Sequence, residues 1–412
     1  MTTARAAERR LLLLTCTRWL PTGLVFGLTV LLPLQRGLSL ADVGAMVATQ
    51  GFVVLLLELP SGGLADAVGR RPVLLLSGLL GVASTLVFVL AQQAWVFVVA
   101  LALQGVFRAL DSGPLEAWFV DTALADDPTI PVERALSRAG TVLGAAIAVG
   151  ALVSAGLVAW HPFAGSSALL LPFGAALAGM VVHLVLTAVL VTEAPRRGHG
   201  QGRALLASTR QAPRLVVDGV RLLRADRVLR CVVLVEVFWG VGMIGFETLM
   251  PARLAEQLGG VERAAVVLGP AAAGAWGLYA VGAGAAGLVS QRLGVAWTAV
   301  GARLAGGLLV VVMGLAAGPV GLVVAYLAAY TLHGANNPVH ATLLHRRASA
   351  GNRATVLSVN SMVSGGCYSL GVLVLGPLAA VTSTGVATVV AGAFSAVGAA
   401  LYLPAVRAER AR

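Results

Sequence analysis

Residues 58–71 read Glu58-Leu59-Pro60-Ser61-Gly62-Gly63-Leu64-Ala65-Asp66-Ala67-Val68-Gly69-Arg70-Arg71. They close one apolar stretch of membrane-spanning length, 41–65, and lead into the next, 72–92. The glycines permit a tight turn and a close helix contact. Asp66, at the membrane edge, is placed to meet a helix N-terminus, where the dipole is positive, or to pair with an arginine. A second loop, Gly287-Leu288-Val289-Ser290-Gln291-Arg292-Leu293-Gly294, repeats the pattern at an offset of 294 − 69 = 225. Further on, Glu133-Arg134-Ala135-Leu136-Ser137 is echoed by Asn352-Arg353-Ala354-Thr355-Val356-Leu357-Ser358, at 353 − 134 = 219. Two independent matches at nearly one offset argue for an internal duplication.

Outward from these loops the chain is 412 residues, 58% hydrophobic and only 11% charged, with a mean hydropathy of +0.89. Soluble domains carry about 25% charged residues, so lipid is the expected solvent. Apolar stretches fall at 11–33, 41–65, 72–92, 94–120, 135–160, 166–191, 228–250, 264–289, 296–318, 320–344, 355–380 and 385–405. At about 20 residues per span these predict twelve transmembrane helices. The segment 193–227 is too polar to span and divides them six plus six. The expected organisation is an all-α polytopic membrane protein of two pseudo-symmetric six-helix bundles, 1–192 and 228–412, joined by a cytoplasmic linker, 193–227. Around Leu215–Leu223 that linker has the pattern of an amphipathic interfacial helix. The first span is read as retained, not as a cleaved signal.

The pI near 11 does not point to nucleic acid. The chain has 29 arginines and no lysine, and 23 of them lie in segments that this topology puts on one side. Arg36, Arg253 and Arg263 fall on the other. That asymmetry is the positive-inside signature, with both termini cytoplasmic in a cell membrane. Cys16, Cys231 and Cys367 sit in apolar spans with no metal-binding or disulfide spacing, so no metal and no cofactor are expected. Neither a nucleotide-binding motif nor a hydrolase or metalloprotease motif is present, which argues against an enzyme.

The loop at 58–71 resembles that of the major facilitator superfamily, whose pattern is Gly-x-Leu-Ala-Asp-Arg-x-Gly-Arg-Lys/Arg. Gly62, Leu64, Ala65, Asp66, Gly69, Arg70 and Arg71 fit, and Ala67 replaces the usual arginine. Glu58-Leu59-Pro60-Ser61-Gly62 resembles the Glu-x-Pro-Thr-Gly variant of bacterial members, and 352–358 and 112–121 are further matches. The resemblance implies a secondary transporter working by alternating access. It also implies that Gly62, Asp66, Gly69, Arg70, Arg71 and Arg353 form a conformational gate. Two family features are missing: an arginine at Leu101, and the proline that would follow Gly144 in an antiporter motif. The second absence weakens an assignment to drug–proton antiport.

Charged groups inside a bilayer are costly and mark pathways. Four spans carry polar residues on one helical face: Arg18, Thr22 and Thr29; Gln104, Arg108 and Asp111; Glu236, Trp239, Met243 and Glu247; and Tyr326, Tyr330, His333 and Asn337. These spans, one, four, seven and ten, line the cavity in the resembled fold. Arg108 and Asp111 are expected to pair along one helix, and Arg18 to snorkel or to pair with Glu58. Arg303 is expected to snorkel. Glu116 and Asp121 are expected to pair with Arg70, Arg71 or Arg134. Glu236 has no partner on its own helix, and an acid held out of water is suited to bind and release a proton. His333 is a candidate proton carrier or a hydrogen-bonded structural group. The expected function is proton-coupled efflux of a small amphipathic solute by a monomer in the lipid bilayer. Two alternatives are transport of an organic anion on Arg18 and Arg108, and a sensor or assembly protein without flux.

Overall fold

The computed structural model describes residues 3–163, 165–193, 217–349 and 352–411, and among them the chain is helical, with no strand. The helices are α1 (Ala4–Leu24), α2 (Leu28–Gln35), α3 (Leu40–Val68), α4 (Arg70–Leu90), α5 (Ala94–Asp111), α6 (Pro114–Asp126), α7 (Val132–Trp160) and α8 (Leu170–Leu190). They continue with α9 (217–225), α10 (Arg227–Ile244), α11 (Met250–Leu258), α12 (Val261–Leu293), α13 (Val295–Leu315), α14 (Pro319–Arg347), α15 (Arg353–Val381), α16 (Thr384–Val397) and α17 (Leu403–Arg410). A π-helical turn, Gly245–Leu249, joins α10 to α11, and a 3₁₀ turn, Gly398–Tyr402, joins α16 to α17.

Eleven helical segments among the described residues are long and apolar enough to cross a membrane. They match eleven of the expected stretches. The remaining one is α14, which is long enough at 29 residues but carries Tyr326, Tyr330, His333, Asn336, Asn337 and His340. A span this polar must bury those groups in protein or face water.

The helices group into two compact units: Met1–Phe26 with Phe52–Ala212, and Gly27–Gly51 with Pro213–Arg412. Residues 27–51 therefore fall with the second unit. The first span breaks at Gly27, whose φ of +71° and closeness to Leu268 and Pro251 suit only glycine; from there α2 packs on α11 and α12. Thr29 thus belongs to a different helix from Arg18, and the expected stripe of span one ends at Thr22. Span four breaks in the same manner at Gly113, between α5 and α6.

Each unit has an apolar core. In the first, Leu11 and Leu14 meet Trp118, Phe119 and Val191. In the second, Val232 and Val235 meet Ala299, Leu344 and Tyr402. The helix α9 overlaps the stretch expected to be amphipathic, running two residues beyond it, and packs Leu222 and Leu223 on the second core; residues 215 and 216 lie outside the described residues. Small residues bring helices close. A side chain at Gly334 would collide with the carbonyl of Tyr279, and one at Gly282 with that of Thr331, so α12 and α14 touch backbone to backbone.

The duplication is visible in the backbone. Gly69 and Gly294 both adopt positive φ, +104° and +83°, and both open a helix. A carboxylate at the end of each unit's last span meets that helix start. Glu193 accepts from the Arg71 N–H at 3.1 Å, and Glu409 accepts from Val295 and Ala296 at 3.3 and 3.0 Å. Arg71 and Ala296 are 225 residues apart, the offset of the two loops. Each acid sits where the helix dipole is positive.

Candidate functional site in the second unit

Glu236 on α10 is 6% exposed, and its ion-pair neighbours come from two other helices. Its Oε1 lies 3.3 Å from His340 Nε2 on α14 and 3.8 Å from an Arg303 nitrogen on α13. His340 reaches on through Nδ1 to the Tyr402 hydroxyl at 2.7 Å and through Nε2 to Asn360 at 3.1 Å. Arg303 is 3% exposed, and its guanidinium lies 4.3 Å from the ring centre of Trp239, one turn along α10 from Glu236. The expectation that Arg303 snorkels is corrected: the neighbouring acid and ring offset the cost of burying its charge.

From Trp239 an aromatic cluster extends. Its ring centre is 4.6 Å from that of His333, which is 5.1 Å from Tyr279 and 5.8 Å from Tyr330. Phe246, on the π-helical turn, meets Tyr330 edge to face at 5.3 Å. Trp276 stands beside Tyr279 and Tyr330, and Tyr326 beside Tyr330. Tyr326 and Tyr330 are buried, Trp239 and His333 are half-buried, and Asn337 is exposed and donates to the Tyr279 hydroxyl at 2.6 Å. Along span ten, Tyr326, Tyr330 and His333 stand ring to ring, and only His333 and Asn337 of the expected stripe are accessible. In span seven Phe246 joins the cluster, while Glu247 is exposed. Arg303 Nε and Trp276 Nε1 are buried with no hydrogen-bond partner among the described residues. A buried polar group without a partner is expensive, and these two donors, on residues that touch the cluster, are ones that a polar solute can satisfy.

In the first unit the charges are arranged differently. Arg18 Nε donates to Asp111 at 2.6 Å and Nη1 to Thr22 at 3.1 Å, and its guanidinium covers Phe107 at 4.2 Å. Two expectations are corrected here. Asp111 serves Arg18 and not Arg108, and Arg18, 6% exposed, is paired with that acid and does not snorkel. Helix α5 turns Asp111 inward toward α1 and leaves Arg108 exposed, with Gln104 and Glu58 half-buried. His183, unremarked in the sequence, bonds Thr17 at 3.0 Å.

Of the gate residues, Arg70 pairs with Asp121, as expected, and also donates to the Ala117 carbonyl. Arg71 donates to the Ala188 carbonyl at 2.9 Å, and Arg353 opens α15 and is exposed. Gly62 and the Asp66 side chain lie outside the described residues.

Sequence reasoning missed Arg303 as a site residue, along with His340, Tyr402, Tyr279, Trp276 and Phe246. A signal existed for His340, which stands seven residues beyond His333 on the same helical face. Phe246 lies in span seven but off its polar stripe, and the others come from spans whose sequences show no such stripe.

Buried charge, a polar span and an open aromatic cluster within an all-helical, membrane-spanning chain define a polytopic solute carrier. The model of the Major Facilitator Superfamily matches residues 11–372, and the chain belongs to that family. It is a multi-pass membrane protein and a transporter. No curated protein matches it in sequence. Among solved structures it is similar to the nucleoside transporter NupG, at 11% identity and a TM-score of 0.77, covering 97% of this chain and 98% of that one. It is also similar to a POT family transporter in complex with 5-aminolevulinic acid, at 12% identity and 0.70, covering 96% and 94%. A structure from work on substrate recognition in proton dependent oligopeptide transporters matches at 13% identity and 0.69, covering 98% and 99%. At these identities the likeness is one of fold.

Proposed function

We propose that the chain is a proton-coupled secondary transporter that works by alternating access and exports a small amphipathic compound. One observation carries this reading: a buried carboxylate, Glu236, is linked through Arg303 to the aromatic cluster around Trp239 and His333. Glu236 is the coupling acid, because its partners are a histidine and an arginine that can redistribute when it takes a proton. The half-buried rings supply contact area for an apolar solute, and the unpartnered polar atoms supply its orientation. The direction follows from the solute's chemistry: a lipophile enters a bilayer unaided, so a carrier is needed for its removal. The arginine asymmetry supports a cell-membrane protein with cytoplasmic termini. The Arg70–Asp121 pair and the Glu193 cap support a gate at the start of α4. The protein acts as a monomer.

The test is flux in proteoliposomes under an imposed pH gradient, with a panel of cationic, neutral and anionic amphipathic compounds. Wild type moves a compound against the proton flow, and Glu236→Gln does not. Unchanged proton dependence in Glu236→Gln removes Glu236 from the mechanism, and no flux of any compound supports a role without transport. A second reading, transport of an organic anion, draws on the exposed guanidinium of Arg108, Arg18 being neutralised by Asp111. Under it, Arg108→Gln abolishes flux of anions alone.

A further inference from the structure

We infer that the indole face of Trp239 is shared in turn by Arg303 and the solute, protonation of Glu236 giving the face to Arg303 and expelling a planar aromatic compound. The inference rests on the reading of Glu236 as the coupling acid and names the class of solute that its site takes.

The contacts of Arg303 are those of a divided side chain. It stands 3.8 Å from Glu236, where the Arg18–Asp111 pair closes to 2.6 Å, and 4.3 Å from the centre of the Trp239 ring. Its Nε has no hydrogen-bond partner among the described residues. The guanidinium reaches the Tyr402 hydroxyl as well, and of its two competing charge attractions, a carboxylate and a π face, it holds neither at hydrogen-bond distance. The charged and titratable groups around Glu236 are Arg303 on α13, His340 on α14, Cys367 on α15 and Tyr402 on the 3₁₀ turn. His333 lies within reach of the Arg303 charge.

When Glu236 is ionised, its charge draws Arg303 away from the ring, and the face it leaves, on a side chain that is only half-buried, is free to take a flat solute. When the carboxylate takes one proton from solution, Arg303 loses its counter-charge. The ring face then becomes its strongest attraction, and desolvation strengthens a cation–π contact. Proton and solute therefore exclude one another, which is the stoichiometric requirement of antiport. The same exclusion sets the solute's charge. A neutral aromatic loses the ring face, and a cationic one is repelled as well by the uncompensated guanidinium. An anion would pair with the freed Arg303 and bind together with the proton, so anions are not the solutes of this site.

Ethidium, a planar cation, and phenanthridine, its neutral parent ring system, are the probes. Binding to the purified full-length chain in detergent is measured at about pH 8 and about pH 5. In wild type, both bind about tenfold more weakly at the lower pH, and binding near the midpoint releases a proton to a pH dye. Arg303→Gln binds both probes tightly at both pH values, because the competitor is gone. Glu236→Gln binds them weakly at both, because Arg303 holds the ring throughout. Trp239→Leu binds weakly at both. The conservative variant Arg303→Lys keeps a pH dependence in the wild-type direction, and it decides the matter if thermal melting shows Arg303→Gln to be unfolded. A wild-type pH dependence retained in Arg303→Gln, lost in Arg303→Lys, or reversed in wild type overturns the inference. So does a wild type that binds neither probe. Failure of the transport reading is separate: it appears as absent flux in proteoliposomes while these binding results still hold.

Discussion

Arg18 and Arg303 are both buried arginines laid over an aromatic ring beside an acid, one in each unit. Arg18 has a short charge-assisted bond to Asp111 and a second donor spent on Thr22. Arg303 has a long approach to Glu236, an unpartnered Nε, and an acid that leans toward His340 instead. A charge-assisted hydrogen bond is roughly twice as strong as a neutral one and holds only at short range. The first arrangement fixes a charge, and the second keeps one ready to move. Residue types alone do not separate them; a difference of about one ångström in the ion pair does.

The comparison breaks most decisively at Arg18. Arg18→Ala leaves the half-buried Asp111 without its counter-charge and is expected to cost about 3 kcal/mol, read as a large fall in thermal melting temperature in detergent. A loss of Arg18 that leaves stability unchanged would show that its pair is no more fixed than that of Arg303. Arg303→Gln is expected to cost less, about 1–2 kcal/mol, because Glu236 keeps His340, while gradient-driven flux is lost. The stability difference between these two variants is the sharpest measure of fixed against movable charge. Within the aromatic cluster, Tyr279→Phe removes the acceptor of Asn337 and is expected to cost about 1 kcal/mol in the same melting assay. The smallest effects belong to the duplicated caps. Glu193→Gln and Glu409→Gln are each expected to cost about 0.3–1 kcal/mol through the helix start they meet, compared in an Arg346→Gln background because Arg346 also pairs with Glu409 at 2.6 Å. A large asymmetry between them would show that the duplicated loops have diverged in their role.

The sequence was legible where lipid dictates composition. The long helices and the twelve stretches they occupy follow from apolar runs that only a bilayer accommodates, whereas the grouping of residues 27–51 with the second unit does not. The duplication was legible because its glycines, at 69 and 294, are demanded by backbone geometry and not by neighbours. The polar face of α14 was legible because helical spacing places Tyr326, Tyr330 and His333 together. The partners of those residues were not. Arg303 and Tyr402 are isolated in otherwise apolar spans, and a single polar residue has no period to reveal which way it faces; Trp276 and Tyr279, one turn apart on α12, make a pair too short to mark a stripe.

What the sequence by itself determined, then, is the number of spans, the repeat and the residue types withheld from lipid, since each is a local consequence of the solvent around a helix. Only the tertiary structure decided that Asp111 serves Arg18, that Glu236 stands between Arg303 and His340, and that Trp239 joins the buried charge to the aromatic cluster. Those pairings depend on which helices cross and how closely. Small contacts such as Gly334 against Tyr279 set that distance, and no periodicity along one helix records it.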